Sequence, residues 1–102
     1  MPELKTVIVG TRFKGESAIA VMRKMRAGDA VVLRREPANR YDANAIACIF
    51  LDFHIGFIPA ALNADLARAL DLGAIAAVTV TEPGSRKGKF VTEPKISIKW
   101  DQ

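Results

Sequence analysis

Two apolar runs, residues 30–33 and 45–51, are separated by Arg35-Glu36-Pro37-Ala38-Asn39-Arg40-Tyr41-Asp42-Ala43-Asn44-Ala45-Ile46, and this connection limits the possible folds most. Pro37 fixes φ and cannot continue a ladder, while Asn39, Asp42 and Asn44 are residues that bond their own backbone in Asx-type turns. The two runs therefore read as sheet partners joined by a rigid loop. Such a loop, presenting an arginine, a ring and a carboxylate between Asn39 and Asp42, suggests a binding surface more than a spacer.

The rest of the chain is read outward from this loop. Residues 4–9 form a short β-branched strand ended by Gly10, followed by Thr11-Arg12-Phe13-Lys14-Gly15, where a ring stands between two cations. Arg12 there suits a phosphate and Phe13 a stacked base, although a core position closing the end of a sheet accounts for Phe13 equally well. Ser17 is expected to cap a helix over residues 18–26 that Gly28 stops, with Arg23, Lys24 and Arg26 on the negative end of its dipole. Residues 30–36 follow as a strand in which Val31, Val32 and Leu33 pack and Arg34 and Arg35 continue outward. Residues 45–51 are apolar on both alternating faces, as in a strand covered on both sides. Asp52-Phe53 is expected to turn the chain into residues 54–59, where Gly56 signals a bulge or a close backbone approach and His54 an exposed strand end.

Asn63 is expected to cap a second helix over residues 64–72, with Leu62, Leu66, Ala69 and Leu70 on its apolar stripe and Asp65, Arg68 and Asp71 on a solvated edge. Residues 75–81 read as a fifth strand and residues 82–89 as a mobile basic loop, with Phe90 behind it. The strict alternation of residues 95–100 is a half-buried last strand. Six strands and two short helices make an α+β, mainly β chain, and a small barrel is the expected closure. The whole of residues 1–102 is expected to be one domain.

Charge and composition limit the function. The formal charge is +5 over residues 1–40, −3 over 41–80 and +2 over 81–102. Basicity at both ends would make one positive face for a phosphate backbone if the ends meet, although most surface lysines are simply solvated. Cys48 lies inside the most apolar run and reads as a buried thiol, and His54 has no second imidazole or thiol at ligand spacing, so neither a metal nor a cofactor is expected. The first residues lack the pattern of a leader and no run approaches the length of a membrane span, so a cytoplasmic address is the default. Glu36 and Asp42 flank the loop but are interrupted by Pro37 and Arg40, and a salt bridge or turn bond is the simpler account of them. With a single histidine and no nucleophile turn, an enzyme is not expected. Rings and cations on loops remain: Arg12, Phe13, Lys14, Asn39, Arg40, Tyr41, Asp42, Arg86, Lys87, Lys89 and Phe90, a pattern of stacking platforms beside a basic track.

Gly10-Thr11-Arg12-Phe13, the central Glu-Pro, Asn, Tyr-Asp and Asn-Ala-Ile register, and Ile55-Gly56-Phe57-Ile58-Pro59 together resemble the HIRAN domain over nearly the whole chain. That family is found on SWI2/SNF2-type fork-remodelling helicases and as small free-standing prokaryotic proteins. The resemblance implies an OB-like six-stranded β-barrel with two helices that binds single-stranded DNA ends with a free 3′-hydroxyl, in repair or stalled-fork processing. It implies that Tyr41 and Phe13 stack terminal bases, Asp42 accepts from the terminal hydroxyl, Arg12 and Asn39 hold adjoining phosphates, and Phe57 and Phe90 lie near the strand. A carboxylate repels an internal phosphate and accepts from a hydroxyl, which distinguishes an end from a continuous strand. The chain departs from the DNA-binding relatives at Phe13, which has no phenolic hydroxyl, at Lys14, which replaces a second aromatic, and at Phe57 and Ala60, which replace polar or basic residues. The expected partner is single-stranded DNA, with a helicase or nuclease alongside and the chain as a monomer. The alternative is a protein-interaction or regulatory module that has kept the barrel and lost DNA binding.

Overall fold

A computed structural model describes residues 2–101. Among the described residues, eight strands form three antiparallel sheets. The first has the order β1 (Glu3–Val7), β8 (Lys95–Trp100), β5 (Ala76–Glu82), and the second has β2 (Val32–Arg35), β3 (Ile46–Phe50), β4 (Phe53–Phe57). A small hairpin, β6 (Ser85–Lys87) and β7 (Phe90–Thr92), is the third. Alternation accounts for β8: Ile96, Ile98 and Trp100 are buried while Lys95 and Lys99 face solvent. The expected covering of β3 on both faces is also found, since Ile46, Ala47 and Cys48 are all fully buried. β1 pairs with β8 from Glu3↔Lys99 to Val7↔Lys95, so the two basic ends of the chain do meet.

The ladders do not close into the expected six-stranded barrel. The two three-stranded sheets touch through isolated bridges, Val9↔Phe57 and Ala30↔Thr79. Gly56 makes the first of these possible. A register shift lies beside it in β3, and a Cβ on Gly56 would fall 2.5 Å from the Val9 carbonyl oxygen and 2.7 Å from Ile8 Cγ2. Only a residue without a side chain lets the two sheets approach this closely.

Several local expectations shift. The first helix, α1 (Glu16–Met22), starts at an uncapped Gly15 and ends before Arg23, because the following amides bond back only three residues as the chain turns Met25 into the core. Its basic residues thus lie beyond the helix. Val32 is exposed while Val31 is buried, as strand alternation requires. The β3–β4 turn is made by Leu51-Asp52, both at positive φ, one residue earlier than expected. The basic stretch expected to be mobile is the β6–β7 hairpin, turning at Gly88. α2 (Ala64–Asp71) buries Leu66, Ala67 and Ala69, whereas Leu62 is exposed. No helix among the described residues is long and apolar enough to cross a membrane.

Candidate nucleic-acid interface

The central loop is built from its own polar side chains. Asn39 Oδ1 accepts from the Tyr41 amide at 2.9 Å and the Asp42 amide at 3.1 Å, and its Nδ2 donates to Glu36 Oε1 at 3.1 Å. Asp42 Oδ1 accepts from the Asn44 amide at 2.9 Å, and the Glu36 amide donates to the Ala45 carbonyl to close the loop. Arg35 does not simply run outward as expected. Its guanidinium donates to the Ala43 and Ala45 carbonyls at 2.8 and 2.7 Å and forks onto Asp71 of α2. Asp65, Arg68 and Asp71 do lie on an exposed edge, and Asp71 is in addition paired with Arg35, a contact that lowers its pKa.

Above this loop lies a groove of about 530 Å³, lined among others by Lys14, Asn39, Tyr41, Asp42, Phe57 and Ala60. Tyr41 is 89 % exposed and held out by the Asn39 turn, so its ring faces solvent rather than the core. Phe13 is also exposed, at 77 %, on a 3₁₀ turn over Thr11–Phe13 that leads directly into Lys14. The core role that sequence left open for Phe13 is thereby excluded. Lys14, the cation in the groove lining, lies over Phe57 at 4.8 Å, and outside that lining Arg12 lies over Phe13 at 4.7 Å and Arg40 over Tyr41 at 5.7 Å. The groove wall is mixed in charge, with Lys14 facing Glu36 and Asp42, rather than uniformly basic.

Two contributors were not foreseen. Asn63, expected as a helix cap, makes no capping bond; it is 2 % exposed and its Nδ2 donates to Asp42 Oδ2 at 2.9 Å. That bond, then the Asn44 amide, hold the Asp42 carboxyl below its usual range, against a smaller opposing effect of burial. His54, expected to be exposed, is half-buried in the groove wall, edge-on to Phe57 with ring centroids 4.7 Å apart. Its Nε2 donates to the Gly56 carbonyl at 3.0 Å, and burial followed by the nearby Lys14 charge lowers its pKa. Glu36, for which a salt bridge or a turn bond was expected, makes both, accepting from Asn39 and lying 3.8 Å from Arg34. A polar residue before a helix reads first as a cap, so no local signal distinguished Asn63.

The hairpin residues stand apart from the groove lining. Arg86 pairs with Glu16 of α1 and donates to the Gly88 carbonyl at 2.8 Å. Lys87, Lys89 and Phe90 are exposed, Phe90 at 80 %. Cys48 is buried and its thiol is pushed up to about 12. No cluster that could hold a metal ion occurs among the described residues.

The family model of the HIRAN domain matches residues 2–101. A crystal structure of a protein from Lactobacillus plantarum is similar with a TM-score of 0.73 and 26% identity, covering 97% of this chain and 96% of that one. The crystal structure of the HIRAN domain of human HLTF is similar in fold, with a TM-score of 0.68 and 24% identity over 96% of this chain and 74% of that one. No curated protein matches the chain.

Proposed function

This chain belongs to the HIRAN domain family, and on that premise we propose that it binds single-stranded DNA ends through a free 3′-hydroxyl. HIRAN domains are in general DNA-binding modules. The observation that carries the finer reading is Asp42: an ionised carboxylate on the wall of a nucleotide-sized groove, flanked by exposed Tyr41 and by Lys14 on Phe57. Each of its oxygens already accepts one hydrogen bond and retains a second acceptor site, so a terminal hydroxyl is welcome there and an internal phosphate is not. Tyr41 and Phe13 offer ring faces to terminal bases, and Arg12, Lys14 and Arg40 offer charge to the adjoining phosphates. Asn39 shapes the loop through its oxygen, which two amides use, and its Nδ2, which donates one N–H to Glu36, has a second N–H to offer an adjoining phosphate. Lys87, Lys89 and Phe90 would meet a strand only as it leaves the groove. The protein would act as a cytoplasmic monomer beside a helicase or nuclease in repair or fork processing.

The test is fluorescence-anisotropy binding, at one stated salt concentration, of a short single strand ending in 3′-hydroxyl against the same strand ending in 3′-phosphate. Preference for the hydroxyl, lost in Asp42→Ala, is the expected result. Equal binding of the two strands by the unmodified protein would refute the reading. A protein-interaction module is the second reading. It is favoured by a separate cavity of about 590 Å³ lined by Asp65, Arg68, Leu72 and Asp101, with Leu72 itself highly exposed.

A further inference from the structure

We infer that Asn63 is the positioning residue that sets Asp42 for end recognition, and that α2 thereby acts as a strap across the recognition loop. The inference rests on the proposed role of Asp42 and adds a residue outside the three stretches on which the resemblance was read. Asn63 is one of only two buried polar residues described, the other being Thr11. It stands where a helix cap belongs and does not cap: the Ala67 amide takes its backbone carbonyl, while the side chain turns away to Asp42. The bond crosses 21 residues of sequence and joins two elements that share no ladder.

A carboxylate on a loop can rotate about both of its side-chain torsions, and each rotation redirects its lone pairs. Here both oxygens are pinned from the protein side, Oδ1 by the Asn44 amide and Oδ2 by Asn63, which leaves the remaining acceptor sites in one orientation. Asn63 is the only side chain doing so among the described hydrogen bonds. The other end of α2 makes the second tie, because Asp71 holds Arg35, which in turn holds the carbonyls of Ala43 and Ala45. The helix thus grips the loop on both sides of the carboxylate. Preorganisation of this kind raises selectivity without a new ligand contact, because the ligand no longer has to order the acceptor.

The experiment measures the ratio of affinities for the 3′-hydroxyl and 3′-phosphate strands in the unmodified protein, Asn63→Ala and Asn63→Asp, with melting followed by circular dichroism. In Asn63→Ala the ratio is expected to fall by about tenfold, the loss of one charge-assisted hydrogen bond. Asn63→Asp keeps the shape of the side chain but sets two carboxylates against one another, so that one of them binds a proton more tightly. Its ratio should therefore be lowest at about pH 8 and recover towards about pH 5, where a shared proton restores the bond. The charged groups around Asp42 are Arg35, which acts on it directly, and Lys14, Glu36 and His54, which line the same groove. The unmodified protein, which contains all four, supplies the baseline for the pH profile. If the unmodified protein prefers the hydroxyl and both variants keep its ratio and its pH profile, Asn63 has no positioning role and the inference is overturned while the function stands. If the unmodified protein shows no preference, the reading of Asp42 fails first and the inference with it. Should Asn63→Ala not fold, the isosteric Asn63→Asp decides alone through its pH profile, which a purely structural residue would leave unchanged.

Discussion

Gly56→Ala is the substitution whose effect follows most directly from the geometry. The new methyl would sit 2.5 Å from the Val9 carbonyl oxygen and 2.7 Å from Ile8 Cγ2, both well inside contact distance. The first neighbour is backbone and the second belongs to a fully buried side chain, so neither can swing aside. Relief must come from opening the Val9↔Phe57 bridge, whose two amides each donate across it at 2.9 Å. Overpacking of this kind costs about 1–3 kcal/mol and two weakened backbone bonds about 1 kcal/mol together, for a loss of about 2–4 kcal/mol. For a domain of this size that corresponds to a melting temperature lower by about 10–25 °C. Thermal unfolding by circular dichroism and a urea titration at constant slope would measure it. Because Phe57 lines the groove and stacks under Lys14, single-strand affinity measured below the transition should fall as well. A melting temperature within about 2 °C of the unmodified protein would show that the sheets do not depend on this approach, and would refute the argument.

Other outcomes follow from the same structure. Lys14→Ala should weaken binding of all single strands alike and reduce the slope of log affinity against log salt by about 0.7, the share of one phosphate contact, in a salt titration. Affinity should rise as pH falls below the ordinary histidine value of 6.5, with a midpoint displaced downward because the fold disfavours the charged ring of His54; His54→Gln should flatten the rise. The sign is set by an added positive charge beside the strand, and Asp42 stays ionised through that window because its own pKa is lowered from 3.8. Cys48 should resist a thiol reagent in the native protein and react at the rate of unfolding, since burial holds the thiol protonated up to about 12. Immediate stoichiometric labelling at neutral pH would contradict its place in β3.

Short-range chemistry was legible and long-range partnership was not. The Asx turns at Asn39 and Asp42 were predictable because acceptor and donor lie two or three residues apart, and so was the close approach at Gly56. The alternation of β8 gave away its buried face, but not that it lies between β1 and β5, since pairing order leaves no mark on a strand's own pattern. Basic residues were over-read for the same reason. Arg86 looked free in sequence and is paired with Glu16, 70 residues away, and Arg35 looked like an exposed strand end and clamps the loop.

What the sequence determined by itself is the central loop: its turn chemistry, its ring and carboxylate, and the motif register that identifies the family. These depend on neighbours along the chain, where backbone geometry leaves few choices. Only the tertiary structure decided that the sheets meet at bridges instead of closing a barrel, that Tyr41 and Phe13 face solvent, and that Asn63 reaches Asp42. Those outcomes turn on which distant surfaces bury one another, and a buried polar group takes whatever partner the packing brings to it.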